Sequence, residues 1–262
     1  MKAGALGLAA APLFFAAQSG QSKQLLPSWA RWRLEVTGKQ NRAHALWTVI
    51  IGGDDKNGCP VVLHEEPFDL PCKAVGDAGV QGSTLYFKGG YFECEFPDLL
   101  QEANKIIVPR WGKECLLAGT GEGMCSPMKF AYASADLQLQ GEGALPIFRH
   151  PSIRFSLIAQ TGDVQNHFHF GGQESTGRPE AVKQGTFESR FVRTAKSCAD
   201  PNAVYHFEHY IDGHAVGQEK RDYQPRLHTG KTAVYIGGEP KGKQPFLGTL
   251  ERLEVDPGCR AH

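Results

Sequence analysis

The sequence predicts an all-β protein, an antiparallel β-sandwich, and three stretches near its C-terminus carry most of that prediction. They are VYHFEHYIDG at 204–213, TAVYIGG at 232–238 and PFLGTLERLEV at 245–255. Each stretch alternates apolar with polar residues and contains glycine where the chain can turn. Alternation with a period of two, bounded by turn residues, is typical of half-buried antiparallel strands. Long helical periodicity is absent, which favours a sandwich of many short strands.

The same reasoning predicts strands in order along the chain. In 29–36 the side chains of Trp32, Leu34 and Val36 share one face, whereas 44–51 is nearly continuous in apolar residues and indicates a more buried strand. Residues 60–82 are predicted to be loop with one short strand, and 97–103 to hold one short helix. Asp212 and Gly213 predict a hairpin turn that Asp212 caps. The predicted strands are 29–36, 44–51, 61–64, 84–88, 91–96, 129–132, 136–140, 153–160, 165–170, 187–194, 203–211, 215–218, 232–236 and 246–255.

The N-terminus predicts export. Lys2 precedes a small, apolar run at 3–17, and Ala17-Gln18-Ser19 is an acceptable cleavage site, so residues 1–19 are predicted to be a secretory signal. The alternative is an apolar helix that stays attached. Residues 20–262 are predicted to form a single domain. The alternative is that residues 20–80 form an N-terminal appendage to it. The expected location is therefore extracellular or periplasmic, with no membrane span after removal of the signal.

Charge narrows the classes of partner. The 28 lysines and arginines balance the 28 acidic residues, so the formal net charge is zero. A nucleic-acid-binding protein normally has a basic excess, and general attraction to anionic membranes needs one as well. We therefore expect neither partner.

Short motifs in the C-terminal half resemble a known family. A strand that ends in Tyr210, Ile211, Asp212 and Gly213 is followed by one that ends in Ile236, Gly237 and Gly238, and then by Phe246, Gly248 and Leu250. This order resembles the closing half of a laminin-G-like domain, within the concanavalin A-like lectin and glucanase superfamily. Residues 85–96, LYFKGGYFECEF, resemble the early strand pair of the same family. The resemblance implies a jelly roll with a concave sheet that commonly binds saccharide.

Seven cysteines indicate an oxidising compartment. We predict the pairs Cys59–Cys72, Cys115–Cys125 and Cys198–Cys259, and a bridge near the C-terminus is also what the laminin-G resemblance implies. Cys94 is predicted to be a buried free thiol. Six cysteines allow fifteen connectivities, so this pairing is a hypothesis.

Strand alternation also predicts a polar patch. If the strands from 153 to 211 share one sheet, their outward side chains gather on one surface, and tyrosine, histidine and arginine there suit sugar rings and uronate carboxylates. The alternative is an ordinary solvent-facing sheet with cross-strand charge pairs. The full patch is Arg154, Gln165, His167, His169, Glu188, Arg190, His206, Glu208 and Tyr210, of which Arg154, His167, His169, His206, Glu208 and Tyr210 are the predicted ligand-binding residues.

These observations predict a secreted, noncatalytic module that recognises carbohydrate or an extracellular partner. One alternative is a polysaccharide lyase, which the jelly-roll resemblance implies for Arg154, Gln165, His167 and Tyr210, although the flanking residues depart from known lyase motifs. A glycoside hydrolase is a weaker alternative, because 93–98 departs from the Glu-x-Asp-x-x-Glu strand of the glucanases. A third is a structural adhesion protein that makes contacts through 173–184.

No cofactor is predicted. Two metal alternatives remain open: calcium at the oxygen-rich turn 54–58, and a transition metal held by His167 and His169 with His206 and Glu208.

Overall fold

The structure, a computed structural model, describes residues 29–54, 60–98, 101, 105, 127–134, 143–194, 204–221, 230–242 and 245–257. Almost all of these residues are in strands or in the turns between them. The strands are β1 (Trp29–Lys39), β2 (Arg42–Asp54), β3 (Pro60–Pro71), β4 (Lys73–Val75), β5 (Ala78–Gln81), β6 (Thr84–Lys88), β7 (Tyr91–Phe96), β8 (Pro127–Ser134), β9 (Gly143–His150), β10 (Ile153–Gln160), β11 (Asp163–Phe170), β12 (Gln173–Thr176), β13 (Thr186–Thr194), β14 (Val204–Ile211), β15 (His214–Arg221), β16 (Thr232–Ile236), β17 (Leu247–Leu250) and β18 (Leu253–Pro257).

Two large antiparallel sheets form the sandwich. The eight-stranded sheet has the order β15, β14, β13, β8, β18, β1, β2, β3, and the seven-stranded sheet has the order β12, β11, β10, β9, β16, β7, β4. A small third sheet joins β17, β6 and β5. The predicted all-β antiparallel sandwich is therefore confirmed. The strands β1 to β3, within the stretch considered as an appendage, lie at one edge of the eight-stranded sheet, and β1 pairs with the C-terminal β18.

Aromatic side chains fill the space between the two large sheets. At one end, Trp32 of β1 meets Phe96 of β7 edge-on, with ring centroids 5.3 Å apart. At the other, Phe170 of β11 lies 4.8 Å from Phe191 of β13. All four rings are fully or almost fully buried, and burying a side chain of this size stabilises a fold by about 1.5–3 kcal/mol. Alternation thus brings one face of each layer into a common core.

Hydrogen bonds from one buried polar side chain also cross this core. Asn166 points inward from β11 and is fully buried. Its Nδ2 donates hydrogen bonds to the carbonyl oxygens of Glu188 and Tyr210, each at 2.9 Å. Both donated bonds hold β11 over β13 and β14, whereas the Oδ1 of the same amide is buried with no hydrogen-bond partner among the described residues.

Most predicted strands are confirmed, and four of them match the observed bounds: β6, β7, β10 and β16. Two expectations are wrong. Residues 60–82 contain β3, β4 and β5 rather than mostly loop. The single predicted strand 246–255 is broken at Glu251 and Arg252 into β17 and β18, which belong to different sheets. The predicted strand at 136–140 and most of the predicted helix lie outside the described residues.

The predicted hairpin turn between β14 and β15 is confirmed. Asp212 and Gly213 take φ of 49° and 79°, in the left-handed region that this turn requires. The Asp212 carboxylate accepts a hydrogen bond from the Thr186 backbone N–H at 2.7 Å, which ties the turn to the start of β13; among the described residues it accepts none from the turn itself.

The cysteine prediction needs correction. Cys72 is bonded to Cys94, so both the pair Cys59–Cys72 and the free thiol at Cys94 are wrong. The reason is strand pairing: Lys73 of β4 lies opposite Glu93 of β7, which brings the preceding Cys72 beside the inward-facing Cys94. The sequence does not show that these two strands are neighbours. Cys59, Cys115, Cys125, Cys198 and Cys259 lie outside the described residues, as do the signal at 1–19 and most of the turn at 54–58.

Candidate functional site

The predicted patch is divided between the two large sheets. β10 and β11 belong to the seven-stranded sheet, and β13 and β14 belong to the eight-stranded sheet. The outer faces of a sandwich point away from each other, so the assumption that these strands share one sheet is wrong. Alternation did predict the correct face of each strand, because the residues between the patch positions are buried. Arg154, Gln165, His167 and His169 lie on one outer face, and Glu188, Arg190, His206, Glu208 and Tyr210 on the other.

A continuous row of side chains crosses the outer face of the seven-stranded sheet. Each member lies directly opposite the next on the neighbouring strand, so the row passes through every strand of this sheet. In strand order the cross-strand row is Glu174, His169, Arg154, Arg149, Tyr235, Glu93 and Lys73. With strands about 4.8 Å apart, the row is about 30 Å long.

Two arginines occupy the centre of the cross-strand row. Arg149 of β9 and Arg154 of β10 are directly opposite each other, and like charges in that position destabilise a sheet. Burial and the charge of Arg154 lower the pKa of Arg149, while Tyr235 acts in the opposite direction. Arg149 forms an ion pair with Glu239. Among the described residues, no carboxylate forms an ion pair with the exposed Arg154, so the centre of the row has an excess positive charge.

Two histidines lie beside this arginine pair. His167 and His169 point outward from β11, opposite Ser156 and Arg154. Burial lowers the pKa of His169, and the charge of Arg154 lowers it further, so the ring is neutral at pH 7. The buried Nδ1 of His169 has no hydrogen-bond partner in the described part of the chain. His167 Nε2 lies 3.4 Å from the Glu174 carboxylate.

Two tyrosines lie on the other side of the arginine pair from the histidines, towards the Lys73 end of the cross-strand row. The rings of Tyr91 and Tyr235 meet edge-on, with centroids 5.9 Å apart, on the same face as Glu93. Half-exposed aromatic rings of this kind offer an apolar face and a polar edge. The sequence reasoning missed Arg149, because 143–150 was not predicted as a strand. It also missed Tyr235, although alternation in 232–236 already placed that ring opposite the buried Val234 and Ile236.

On the outer face of the eight-stranded sheet, the polar groups bind one another. Glu208 accepts hydrogen bonds from Tyr210 Oη and His206 Nε2, both at 2.9 Å. Arg190 donates to Glu188 and covers the Tyr210 ring, with its guanidinium carbon 4.4 Å from the ring centroid. Burial by itself would lower the pKa of Arg190, but the hydrogen bond and charge of Glu188 outweigh it, so the pKa is raised. These groups form a satisfied network and leave little free for a ligand.

The alternative sites are also separated by the fold. The four residues of the metal alternative, His167, His169, His206 and Glu208, lie on opposite outer faces, and the described ranges contain no group of three or more ligating side chains that could hold a metal ion. Of the lyase set, Arg154, Gln165 and His167 share a face, and Tyr210 is on the other. Glu93 and Glu95 share a face of β7, where Glu95 forms an ion pair with Lys231.

Comparison with known proteins gives no family. No family model matches the chain, and no curated protein matches it either. Within the described ranges there is no helix with the length and apolar character needed to cross a bilayer.

Proposed function

We propose that the protein is a noncatalytic recognition module that binds an acidic polysaccharide along the cross-strand row. The observation that carries this proposal is the pair Arg149 and Arg154, held directly opposite each other although like charges there oppose folding. A sheet gains nothing from such a pair by itself, and local rules are most often broken at functional sites. A carboxylate bound between the two guanidiniums would offset their repulsion.

The surroundings of the arginine pair suit a polymer. The cross-strand row is long enough for several sugar units, and Tyr91 and Tyr235 supply rings on which a sugar can stack. His169, which is neutral at pH 7, lies directly opposite Arg154. The ligand-binding set is therefore Arg149, Arg154, His167, His169 and Tyr235, while His206, Glu208 and Tyr210 are assigned to the network on the other face.

The laminin-G-like resemblance supports the same proposal. Its motifs fall at the end of β14, at the end of β16 and along β17, in two packed antiparallel sheets. We infer membership of the concanavalin A-like superfamily from these motifs together with the sandwich. We likewise infer export, which the Cys72–Cys94 disulfide supports, because disulfides persist in oxidising compartments.

Affinity electrophoresis tests the proposal. The mature protein should be retarded in gels that contain polygalacturonate or alginate, and it should run freely in gels that contain dextran. The double variant Arg149→Gln/Arg154→Gln should bind the acidic polymers roughly 10–100-fold more weakly, since charge-assisted hydrogen bonds are lost. The matched control, Lys39→Gln/Arg252→Gln, removes two positive charges that lie away from the row. Equal loss of binding in both double variants would contradict the site.

A lyase is the second candidate, because one observation favours it. Arg154, Gln165 and His167 share a face on adjacent strands, and Tyr235 supplies, two strands from Arg154, the phenol that Tyr210 cannot supply from the other face. In such a reaction a base removes the proton α to the uronate carboxylate, and the glycosidic C–O bond breaks as an acid gives a proton to the leaving sugar oxygen, which leaves an unsaturated sugar on the other side of the bond. Ultraviolet absorbance of polyuronates incubated with the protein follows this product. A rise abolished in His167→Ala or Tyr235→Phe would replace the binding module with a lyase.

A further inference from the structure

A cavity lies at the open edge of the sandwich, beside the Glu174 end of the cross-strand row. It has a volume of about 530 Å³ and lies between β12 and β15, the edge strands of the two large sheets. That volume is typical of pockets that hold small molecules. Its polar lining residues are Ser175, Thr176, Arg178, Gln218 and Glu219.

Two hydrogen bonds to the same backbone carbonyl of β15 position Arg178. Its N–H donates to the Val216 carbonyl of β15 at 2.7 Å, and its side-chain Nε donates to the same oxygen at 3.4 Å. The terminal Nη groups form no hydrogen bond or ion pair with any part of the chain that the structure describes. An arginine held at Nε with its Nη groups unoccupied is arranged to bind an anion.

A buried histidine supports the neighbouring serine. His209 is 1% exposed, and its Nδ1 and Nε2 lie 2.8 Å from Ser189 Oγ and 3.0 Å from Ser175 Oγ. Burial lowers the pKa of His209 to about 4, so the ring is neutral at pH 7 and donates from only one nitrogen.

The buried hydroxyl of Ser189 decides which nitrogen donates. Its proton has no acceptor other than His209 Nδ1 among the described residues, so Ser189 donates to Nδ1. The Nε2–H of His209 then donates to Ser175 Oγ. The hydroxyl proton of Ser175 has no acceptor within the described chain and is free to donate to the pocket. Ser175 and Arg178 therefore present donors to the same cavity.

We propose that this pocket binds a small hydroxylated carboxylate of the size of a sugar acid. Its carboxylate lies against Arg178 and the Ser175 hydroxyl, and its own hydroxyls donate to Glu219 and to the side-chain carbonyl of Gln218. This site borders the Glu174 end of the cross-strand row, since Thr176 lies opposite His167, but none of the residues that line the cavity belongs to the row. It does not depend on the proposed function.

Titration of ¹⁵N-labelled protein with glucuronate tests this proposal, with glucose and glycine as the neutral and zwitterionic probes. We expect glucuronate to shift amide signals in β12 and β15, including those of Ser175 and Gly217, and glucose and glycine to bind at least tenfold more weakly. Arg178→Gln should weaken glucuronate binding at least tenfold. Lys183→Gln removes an exposed positive charge from the same connecting segment, outside the pocket, and should change binding less than twofold.

Three results would overturn the proposal. They are no binding of glucuronate, binding of glucose or glycine equal to that of glucuronate, and undiminished binding by Arg178→Gln. The double variant Arg149→Gln/Arg154→Gln should bind glucuronate as the native protein does. If that variant loses the signal and Arg178→Gln keeps it, glucuronate binds the row rather than the pocket. Because Arg178 is exposed, its variant should fold, and thermal unfolding verifies this.

Discussion

Single buried polar residues define how the two sheets meet. Asn166 from the seven-stranded sheet binds backbone carbonyls of β13 and β14, and His209 from the eight-stranded sheet binds Ser175 of β12. Buried polar groups cost free energy unless they are paired, so each of these contacts constrains the packing of one layer on the other. His209 adds a dependence on pH, because it can be protonated.

Stability should fall in mild acid because of His209. Its pKa in the folded protein is about 4, below the ordinary value of 6.5, mainly through burial; His167 lowers it further and Glu219 opposes the shift. Between these values the unfolded chain binds the proton and the folded protein does not. The contribution of the neutral His209 ring to the free energy of unfolding is therefore complete above about pH 6.5. It is lost as the pH falls towards 4, and the total loss is roughly 3 kcal/mol.

Urea unfolding at a series of pH values measures this effect in the native protein and in His209→Gln. Glutamine keeps a donor and an acceptor but does not titrate. The difference between the two free energies of unfolding should narrow by a few kcal/mol from pH 7 to pH 4. Parallel pH profiles would show that His209 does not titrate in this range.

At the scale of elements, β7 links the two features that local patterns could not predict. Its inward Cys94 bonds to Cys72, and its outward Glu93 joins the cross-strand row beside Tyr235. Both contacts arise because β7 lies between β4 and β16, which are far from each other in the chain. The turn after β16 then brings Gly237 against the core residue Phe87.

The Cys72–Cys94 disulfide should be detectable in the native protein and should stabilise its fold. Proteolysis under non-reducing conditions followed by mass spectrometry should yield a linked peptide pair that contains these two cysteines. The double variant Cys72→Ala/Cys94→Ala should lose roughly 3 kcal/mol of stability, since the bond closes a loop of 22 residues. A peptide that links Cys59 to Cys72 would contradict the structure.

Gly237 should tolerate no side chain. Its φ is +77°, and an added Cβ would overlap the Phe87 ring, which is itself buried. Gly237→Ala should therefore cost roughly 2–4 kcal/mol, from backbone strain and overpacking together. Gly162→Ala is the matched control, because Gly162 also has positive φ but has nothing within 4 Å of the added Cβ. Equal losses in thermal unfolding would exclude the steric part of this explanation.

At the scale of the whole molecule, the two outer faces differ in how their charges are compensated. On the eight-stranded sheet, Arg190 is held by Glu188 and stacked on Tyr210. On the seven-stranded sheet, Arg154 adds a positive charge next to Arg149. Since the formal net charge is zero, any attraction for an acidic polymer is local to that face.

Binding of acidic polysaccharide should therefore weaken with salt. Raising the ionic strength from low values to about 0.15 M shortens the Debye length to about 8 Å and screens exposed charges. Retardation in polygalacturonate gels should fall, and the double variant Arg149→Gln/Arg154→Gln should show a smaller dependence on salt. A salt dependence that is the same in the native protein and the variant would place the electrostatic contact elsewhere.

The sequence by itself determined the class of fold and the face of each strand. Alternation is a local property, so it predicted the antiparallel sandwich, the bounds of β10 and β16, and the inward side chains Phe168 and Phe207. It also predicted the hairpin at Asp212 and Gly213, because that turn depends on two adjacent residues.

Only the tertiary structure decided which strands are neighbours. β18 lies between β8 and β1, and β16 lies between β9 and β7. In both cases the central strand is far from both of its neighbours in the chain. Such pairings depend on the register and packing of distant segments, which no local pattern contains. For that reason the sequence assigned Cys72 to the wrong partner and merged two outer faces into one patch. The arginine pair was missed for a local reason instead: Arg149 and Arg154 face each other across the short turn between β9 and β10, and residues 143–150 were not predicted as a strand.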